Sequence, residues 1–377
     1  MVFVAVVASA QAAFPGSNGQ IAYQRLAFLE SGPAGGLFAH APTRGGAQRV
    51  LSGDASAEAP AYSPDGRLVV FAADLDSVAA TRPRIYLMRA DGSGVRQLTA
   101  GAQRDGHPSF SPDGRSVVFD RTTTGVDHYS HIFLVKVDAS GLRQLTHGAE
   151  VRDTDPTFAP NGKTIAFVSE RADDGTGDRF DIFSMRSDGR RLKPLIDGPL
   201  KDLEPDFSPD GRSIAFTSNL HDGPNVFVAR ADGRRVRQLT KGRGGCFRGR
   251  CYLSPSWAPD GKHIAFVAQA GESSNLAVMR PDGSGLKVIA EGSEGEEGPG
   301  GPIVAPAWAR LRASPNEIAQ SSAAVPWGHA GVRWPARPCF QHGADRGPRG
   351  VCPRGRGGVV ALPLRRGVRL DGGRDVL

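Results

Sequence analysis

Residues 60–73 read PAYSPDGRLVVFAA, and the turn at their centre recurs along the chain, which indicates the fold. The tetrapeptide SPDG returns with small changes four more times, and the intervals between the successive prolines are 48, 48, 49 and 50 residues. The five copies begin at Ser63, Ser111, Ala159, Ser208 and Ala258. Repetition at a fixed period of about 20–50 residues indicates a solenoid or a propeller.

Each unit contains four short segments in the same order. In the first complete unit they are PAY before the turn, LVVFAAD after it, then IYLMRADG and VRQLT. Four strands of four to six residues, joined by turns, predict one four-stranded antiparallel sheet per unit. Within the turn, Pro presets φ, Asp or Asn bonds its own backbone and Gly takes a positive φ. Asp65 and its equivalents are therefore interpreted as turn formers.

The two ends of the repeat region complete one further unit. Five units run from about Pro60 to Ala290, and the segment from Asn18 to Tyr23, with LFAHAPT and AQRVLS after it, supplies three more strands. The strand that this first unit lacks matches Ala305–Ala309. Pairing these ends closes the ring and removes exposed sheet edges. The sequence thus predicts an all-β, six-bladed β-propeller over residues 14–310, which we expect to be a monomer.

The repeat resembles the TolB-like (WD40-like) β-propeller family, which is related to the propellers of tricorn and prolyl-oligopeptidase-type peptidases. The resemblance rests on SPDG-x-x-I-A-F, the following DGSG and RQLT, and covers roughly residues 18–309. It implies a propeller without implying one function. The α/β domain of TolB and the hydrolase domain of the peptidases have no counterpart in the sequence.

The N-terminus indicates export. Residues 1–13 form a short apolar run with an A-x-A site at Ala10-Gln11-Ala12, as at the end of a truncated signal peptide; an ordinary first strand is the alternative. We therefore expect a periplasmic, extracellular or cell-surface protein. In that setting Cys246 and Cys251 are predicted to form a disulfide, with free thiols or a metal site as alternatives.

Charge is concentrated in residues 311–377, which hold 11 Arg, no Lys and 4 acids. The rest of the chain holds 35 basic and 35 acidic side chains, so nucleic-acid binding by the propeller has no electrostatic support. The tail is predicted to be disordered, and a cationic arm, a linker remnant and an out-of-frame translation all stay open. No apolar run has the roughly 18 residues of a transmembrane helix.

One constellation near the channel mouth is a candidate binding site. Acidic residues precede the first strand of consecutive units, and one histidine accompanies them: Glu58, Asp105, His107, Asp153, Asp155, Asp202 and Glu204. One interpretation is that each Asp caps its own loop. The other is an arc of carboxylates that binds a partner segment or a cation, with calcium at Asp105, Asp153 and Asp202.

These observations leave two classes of function. A binding or scaffold propeller outside the cytoplasm, taking a protein or a cell-envelope ligand at the channel mouth, is favoured because no G-x-S-x-G, H-E-x-x-H or phosphate-cradling motif occurs. The alternative is a propeller enzyme of the polysaccharide-lyase type, which resembles this repeat class and would need a metal site. No cofactor other than calcium is predicted.

Overall fold

The computed structural model describes residues 17–29, 32–40, 48–52, 56–75, 82–122, 129–171, 179–221, 223–271, 273–292 and 303–311. These residues form six four-stranded antiparallel sheets. The six-bladed propeller predicted from the repeat is therefore confirmed. The predicted signal peptide and the tail after residue 311 lie outside the described residues.

The 24 strands follow one another blade by blade. The first three blades contain β1 (Ser17–Leu29), β2 (Gly32–His40), β3 (Gln48–Ser52), β4 (Glu58–Tyr62), β5 (Leu68–Ala73), β6 (Arg84–Arg89), β7 (Arg96–Gln97), β8 (Asp105–Phe110), β9 (Ser116–Thr122), β10 (Ser130–Lys136) and β11 (Arg143–Gln144). The remaining blades contain β12 (Asp153–Phe158), β13 (Thr164–Ser169), β14 (Asp181–Arg186), β15 (Lys193–Ile196), β16 (Asp202–Phe207), β17 (Ser213–Ser218), β18 (Asn225–Arg230), β19 (Arg237–Gln238), β20 (Arg250–Trp257), β21 (Ile264–Ala270), β22 (Ser273–Met279) and β23 (Lys287–Ala290). Strand β24 (Ile303–Leu311) returns to blade 1, and one helical turn, α1 (Gly245–Arg248), precedes β20.

Both ends of the described chain build blade 1, whose strand order is β24-β1-β2-β3. Strand β1 pairs with β2 on one side and with β24 on the other, where Ile21 faces Trp308 and Ala22 faces Ala307. The expected closing strand at residues 305–309 thus lies within β24. Blades 2 to 6 take their strands in chain order from β4, β8, β12, β16 and β20, which are the inner strands.

The SPDG turn is held by its own side chains. Gly66 N donates to Ser63 O at 2.8 Å, while Asp65 Oδ1 accepts from Ser63 Oγ at 2.6 Å and from Arg67 N at 3.0 Å. Gly66 has φ +68°, which L residues rarely adopt. The same bonds recur in the turn of blade 3, so the turns are part of the fold.

The core lies between neighbouring blades. One apolar cluster joins Val70 and Ile85 of blade 2 to Phe110 and Phe119 of blade 3, and equivalent clusters follow around the ring. In blades 1 to 5 two aromatic rings lie about 6 Å apart across the second and third strands, as in Tyr23–Phe38 and Phe167–Phe183. The repeated hydrophobic segments therefore form the core.

Candidate binding site in the central channel

An X-Pro pair interrupts every inner strand of blades 2 to 6. The register shifts there, since Pro has no N–H to donate to the ladder. The residue before Pro has a positive φ of 45–55° in all five of these blades, and the side chain differs each time. In order these residues are Ala59, His107, Asp155, Glu204 and Ser254. Since Ala59 shares the strained backbone, the strain belongs to the fold, and only the side chains distinguish the blades.

His107 lies between carboxylates from two blades. Its Nδ1 is 2.6 Å from Asp120 Oδ2 of the same blade, and its Nε2 is 3.5 Å from Asp155 Oδ1 of the next blade. Asp120 Oδ2 also accepts a 3.4 Å hydrogen bond from the backbone N–H of Asp155. The imidazole and Asp120 together therefore tie blade 3 to blade 4 at the channel.

These charged groups shift one another's pKa values. Burial opposes the imidazolium, but Asp155, Asp120 and Glu58 outweigh it and raise the pKa of His107 to about 10. Burial raises the pKa values of Asp155 and Glu58, and the charge of His107 acts in the opposite direction on both. His107 is therefore an imidazolium at neutral pH, held among three carboxyl groups.

Glu204 joins blades 5 and 6 in the same way. Its Oε2 accepts from Ser254 N at 2.6 Å and from Thr217 Oγ1 at 2.6 Å, and its Oε1 accepts from Ser254 Oγ at 3.1 Å. Burial raises the pKa of Glu204 to about 7, and the charge of Asp155 adds to this, against the hydrogen bonds from Thr217 and Ser254. The carboxyl group thus changes its proton occupancy near neutral pH.

A second polar row follows two residues further along the inner strands. Blades 3 to 6 carry polar side chains there, whereas blades 2 and 1 carry alanine; the row is Ala61, Ser109, Thr157, Asp206, Ser256 and Ala307. The hydroxyl oxygens of Ser109, Thr157 and Ser256 are buried and make no hydrogen bond to another described protein atom. Buried hydroxyls are normally paired, so this half of the channel offers hydrogen-bonding capacity to a ligand or to water.

The three aspartates predicted as calcium ligands occupy another strand position. Asp105 pairs with Arg121, while Glu58 pairs with Ala72, the residue equivalent to Asp120 in blade 2. Glu58 therefore occupies the strand position of Gly106, one residue after the position of Asp105. Asp153 and Asp202 occupy the same position as Asp105.

Each of these three aspartates has its own nearby partners. Asp105 binds Arg121 at 2.6 Å, and Asp153 accepts from Ser169 at 2.7 Å and pairs with Arg171. Burial raises the pKa of Asp105 even so, whereas for Asp153 the hydrogen bonds outweigh burial and lower the pKa. Burial raises the pKa of Asp202 to about 6, against a hydrogen bond from Ser218.

The remaining predicted site residues are the two cysteines. Cys246 and Cys251 form a disulfide between α1 and β20, with an S–S distance of 2.08 Å. Within the described ranges, no three or more His, Cys, Asp or Glu side chains are grouped so as to hold a metal ion. No helix among those ranges is long and apolar enough to cross a membrane.

Asp120, Thr217 and Ser254 complete the channel cluster, and they are not among the residues that the sequence predicted. Their signal lies in the repeat columns. Asp120 and Thr217 follow the central Phe of the second strand, where other blades have Ala72 and Val168. A polar residue in a buried column needs a partner. Ser254 stands before the inner-strand proline, as His107 does.

Comparison with known proteins agrees with the repeat and the fold. Residues 173–309 match the model of the TolB beta propeller domain. The crystal structure of TolB from Acinetobacter baumannii is 22% identical, with a TM-score of 0.63 over 79% of this chain and 68% of that one. A structure of a nidogen/laminin complex is 11% identical, with a TM-score of 0.55 over 77% and 98%.

Part of an enzyme chain has the same fold. Hydrazine synthase of Kuenenia stuttgartiensis is 16% identical, with a TM-score of 0.59 over 78% of this chain and 47% of that one. No curated protein matches the chain significantly. At these identities the structural matches show the fold alone, and the family model matches the repeats within residues 173–309.

Proposed function

We propose that this chain, a β-propeller of the TolB-like repeat type, is a non-catalytic binding protein outside the cytoplasm that holds a partner segment at the mouth of its channel. The observation that carries the proposal is the one-sided channel. Four consecutive blades present His107, Asp155, Glu204 and Ser254 at one structural position, whereas blade 2 presents Ala59 there.

The site chemistry favours a polar segment with a small positive charge. Glu58, Asp120, Asp155 and Glu204 provide four carboxyl groups, of which His107 neutralises part. Burial raises the pKa values of Glu58 and Asp155, and the nearby charges of Arg104 and Arg152 oppose this only in part. The remaining acidic excess, together with the buried hydroxyls, suits hydrogen-bond donors of a partner.

Site-specific photo-crosslinking in the producing cell tests the proposal. We expect probes at half-exposed Thr154 and Leu203, beside the channel cluster, to capture one discrete protein. Probes at Arg67 and Arg212, on the face of the SPDG turns, serve as controls and should capture nothing. Capture at both faces alike, or at neither, would contradict a binding site in the channel.

A matched pair of double variants distinguishes binding at the channel carboxylates from attraction by the net charge of the protein. Asp155→Asn with Glu204→Gln should abolish capture because it removes two channel carboxylates. Asp65→Asn with Asp210→Asn changes the net charge equally at two exposed turns and should leave capture intact. Equal loss in both double variants would mean that the total charge, rather than the channel, determines binding.

Calcium binding at Asp105, Asp153 and Asp202 stays a prediction. A cation that binds only the folded state stabilises it by RT ln(1 + c/Kd), where c is the free cation concentration, so the melting temperature should rise with the calcium concentration. The rise should disappear when all three residues are changed to Asn. Arg121 and Arg171 compete with a cation for the first two carboxylates. A flat calcium titration would end this part of the proposal and leave the channel site unaffected.

A further inference from the structure

The segment that joins β19 to β20 is a basic loop, defined here as residues 241–250. Its sequence is KGRGGCFRGR, with four cationic side chains and no acidic one. Lys241, Arg243 and Arg250 are exposed to solvent. None of the ion pairs found in the described part of the chain includes these three residues, in contrast to Arg121 and Arg171, which are bound to aspartates.

The backbone of the basic loop is held at several points. The Cys246–Cys251 disulfide closes it, and buried Asn225 clamps Gly242 by accepting from its N–H at 2.6 Å and donating to its carbonyl at 3.3 Å. At Gly249 a Cβ atom would lie 1.7 Å from Arg243 O, so only glycine fits this close approach. The loop is thus preorganised, which lowers the entropy cost of binding a ligand.

This rigid backbone places two like charges opposite each other. Arg243 and Arg250 form an antiparallel β-bridge, in which Arg250 N donates to Arg243 O at 3.0 Å. Residues directly opposite in such a pair have Cβ atoms about 4.5–5.5 Å apart, and like charges there are destabilising. An oxyanion between the two guanidinium groups would relieve this repulsion.

We propose that the basic loop is a recognition site for a phosphate group, carried by a ligand or a surface outside the cytoplasm. Guanidinium groups match the oxygens of phosphate in two-point hydrogen bonds. The three exposed cations also suit phosphate better than a single carboxylate, because a phosphate monoester carries about −1.5 to −2 charges at pH 7. This inference goes beyond the channel site and does not depend on it.

Titration of the oxidised full-length protein with inorganic phosphate tests the inference. With ¹⁵N-labelled arginine and ionic strength held constant with chloride, we expect saturable shifts of a few Nε–Hε resonances. Those signals should be the ones lost in Arg243→Gln and Arg250→Gln. The double variant should bind phosphate at least about tenfold more weakly, since the guanidinium groups of both arginines are removed.

Three controls make the outcome decisive. Arg67→Gln with Arg212→Gln, on the SPDG face, should leave phosphate binding unchanged. Every variant keeps the Arg-rich residues 311–377, so these residues do not cause a difference between variants. Reduction of the disulfide should weaken binding and reoxidation should restore it. Shifts that do not saturate, that chloride reproduces, or that spread over most arginines would mean ionic screening alone and would overturn the proposal.

Sedimentation with vesicles identifies the source of the phosphate. Binding to phosphatidylglycerol vesicles that the double variant loses would indicate lipid headgroups, whereas phosphate binding without sedimentation would indicate a soluble or polymeric phosphate ester. Each of these results supports the site. Binding to polyglutamate without any saturable response to phosphate would instead show a surface for acidic proteins, and the phosphate assignment would be wrong.

Discussion

The channel has two unlike halves on one scaffold. Blades 3 to 6 place His107, Asp155, Glu204 and Ser254 before the inner-strand proline, while blade 2 places Ala59 there. The next row repeats the contrast, with polar side chains in blades 3 to 6 and alanines in blades 2 and 1. The backbone nevertheless takes the same bulge and nearly the same positive φ in blades 2 to 6.

This difference separates the residues that build the propeller from those that give it a site. The SPDG turns and the aromatic pairs recur in both halves, so they serve the fold. The inner-strand side chains vary from blade to blade although their backbone does not, so packing alone does not determine them. Buried ionisable groups are costly unless they are paired, and their concentration on the inner strands of blades 2 to 5 favours a role in binding.

The largest expected effect concerns the aromatic pairs, which should matter equally in both halves. Phe71→Ala in blade 2 and Phe167→Ala in blade 4 each empty a fully buried ring site and should cost about 3–5 kcal/mol. Denaturant unfolding of both variants measures this. A loss confined to one blade would contradict the equivalence of the two halves in the fold.

Removal of the His107 imidazole should lower the free energy of unfolding, because His107 ties blade 3 to blade 4. His107→Gln leaves the carboxylates of Asp120 and Asp155 without their cation, and we expect a loss of about 3 kcal/mol at pH 6. Because the pKa of His107 is raised, this contribution is full below about pH 6.5 and disappears as the pH rises through about 10. Unfolding measured from pH 6 to 10 tests the trend.

His263 gives a matched control for this experiment, since it lies on the SPDG face with its side chain 42% exposed. His263→Gln should change stability by less than about 0.5 kcal/mol. A similar loss in both histidine variants would show that the ion pairs at the channel contribute nothing specific.

Glu204 should produce a smaller effect of opposite sign. Its pKa is raised from 4.5 to about 7, so the folded state holds more protons and stability falls as the pH rises through this window. Glu204→Gln should leave stability unchanged at pH 4 and raise it by about 1–3 kcal/mol at pH 8. Exposed Glu150→Gln is the control and should have no such dependence.

The smallest effect is expected at the turns. Asp65→Asn should cost less than about 0.5 kcal/mol, since Asn161 occupies this place in blade 4 and accepts from Lys163 N at 2.8 Å. The melting temperature should therefore hardly change. A loss as large as that of His107→Gln would mean that the turn carboxylate has a role besides the turn.

The repeat made most of the fold predictable. Its period, the SPDG turns and the split first unit led to six blades and to a closing strand within β24, because turn geometry and hydrophobic alternation are local properties. The site was predictable only in part. The sequence predicts Asp155 and Glu204 together with Asp153 and Asp202, two residues earlier, and nothing in the repeat pattern separates the two sets.

The architecture therefore follows from the sequence alone, since blades 2 to 6 are specified by contacts between residues close along the chain and blade 1 by the two ends of the repeat region. Which acids meet depends instead on the three-dimensional arrangement. The X-Pro bulge sets Glu204 against Ser254, 50 residues away, and His107 against Asp155. It also leaves Asp105 and Asp153 to arginines of their own blades. Charges interact through distance in space, and closure of the ring brings these carboxylates to one channel.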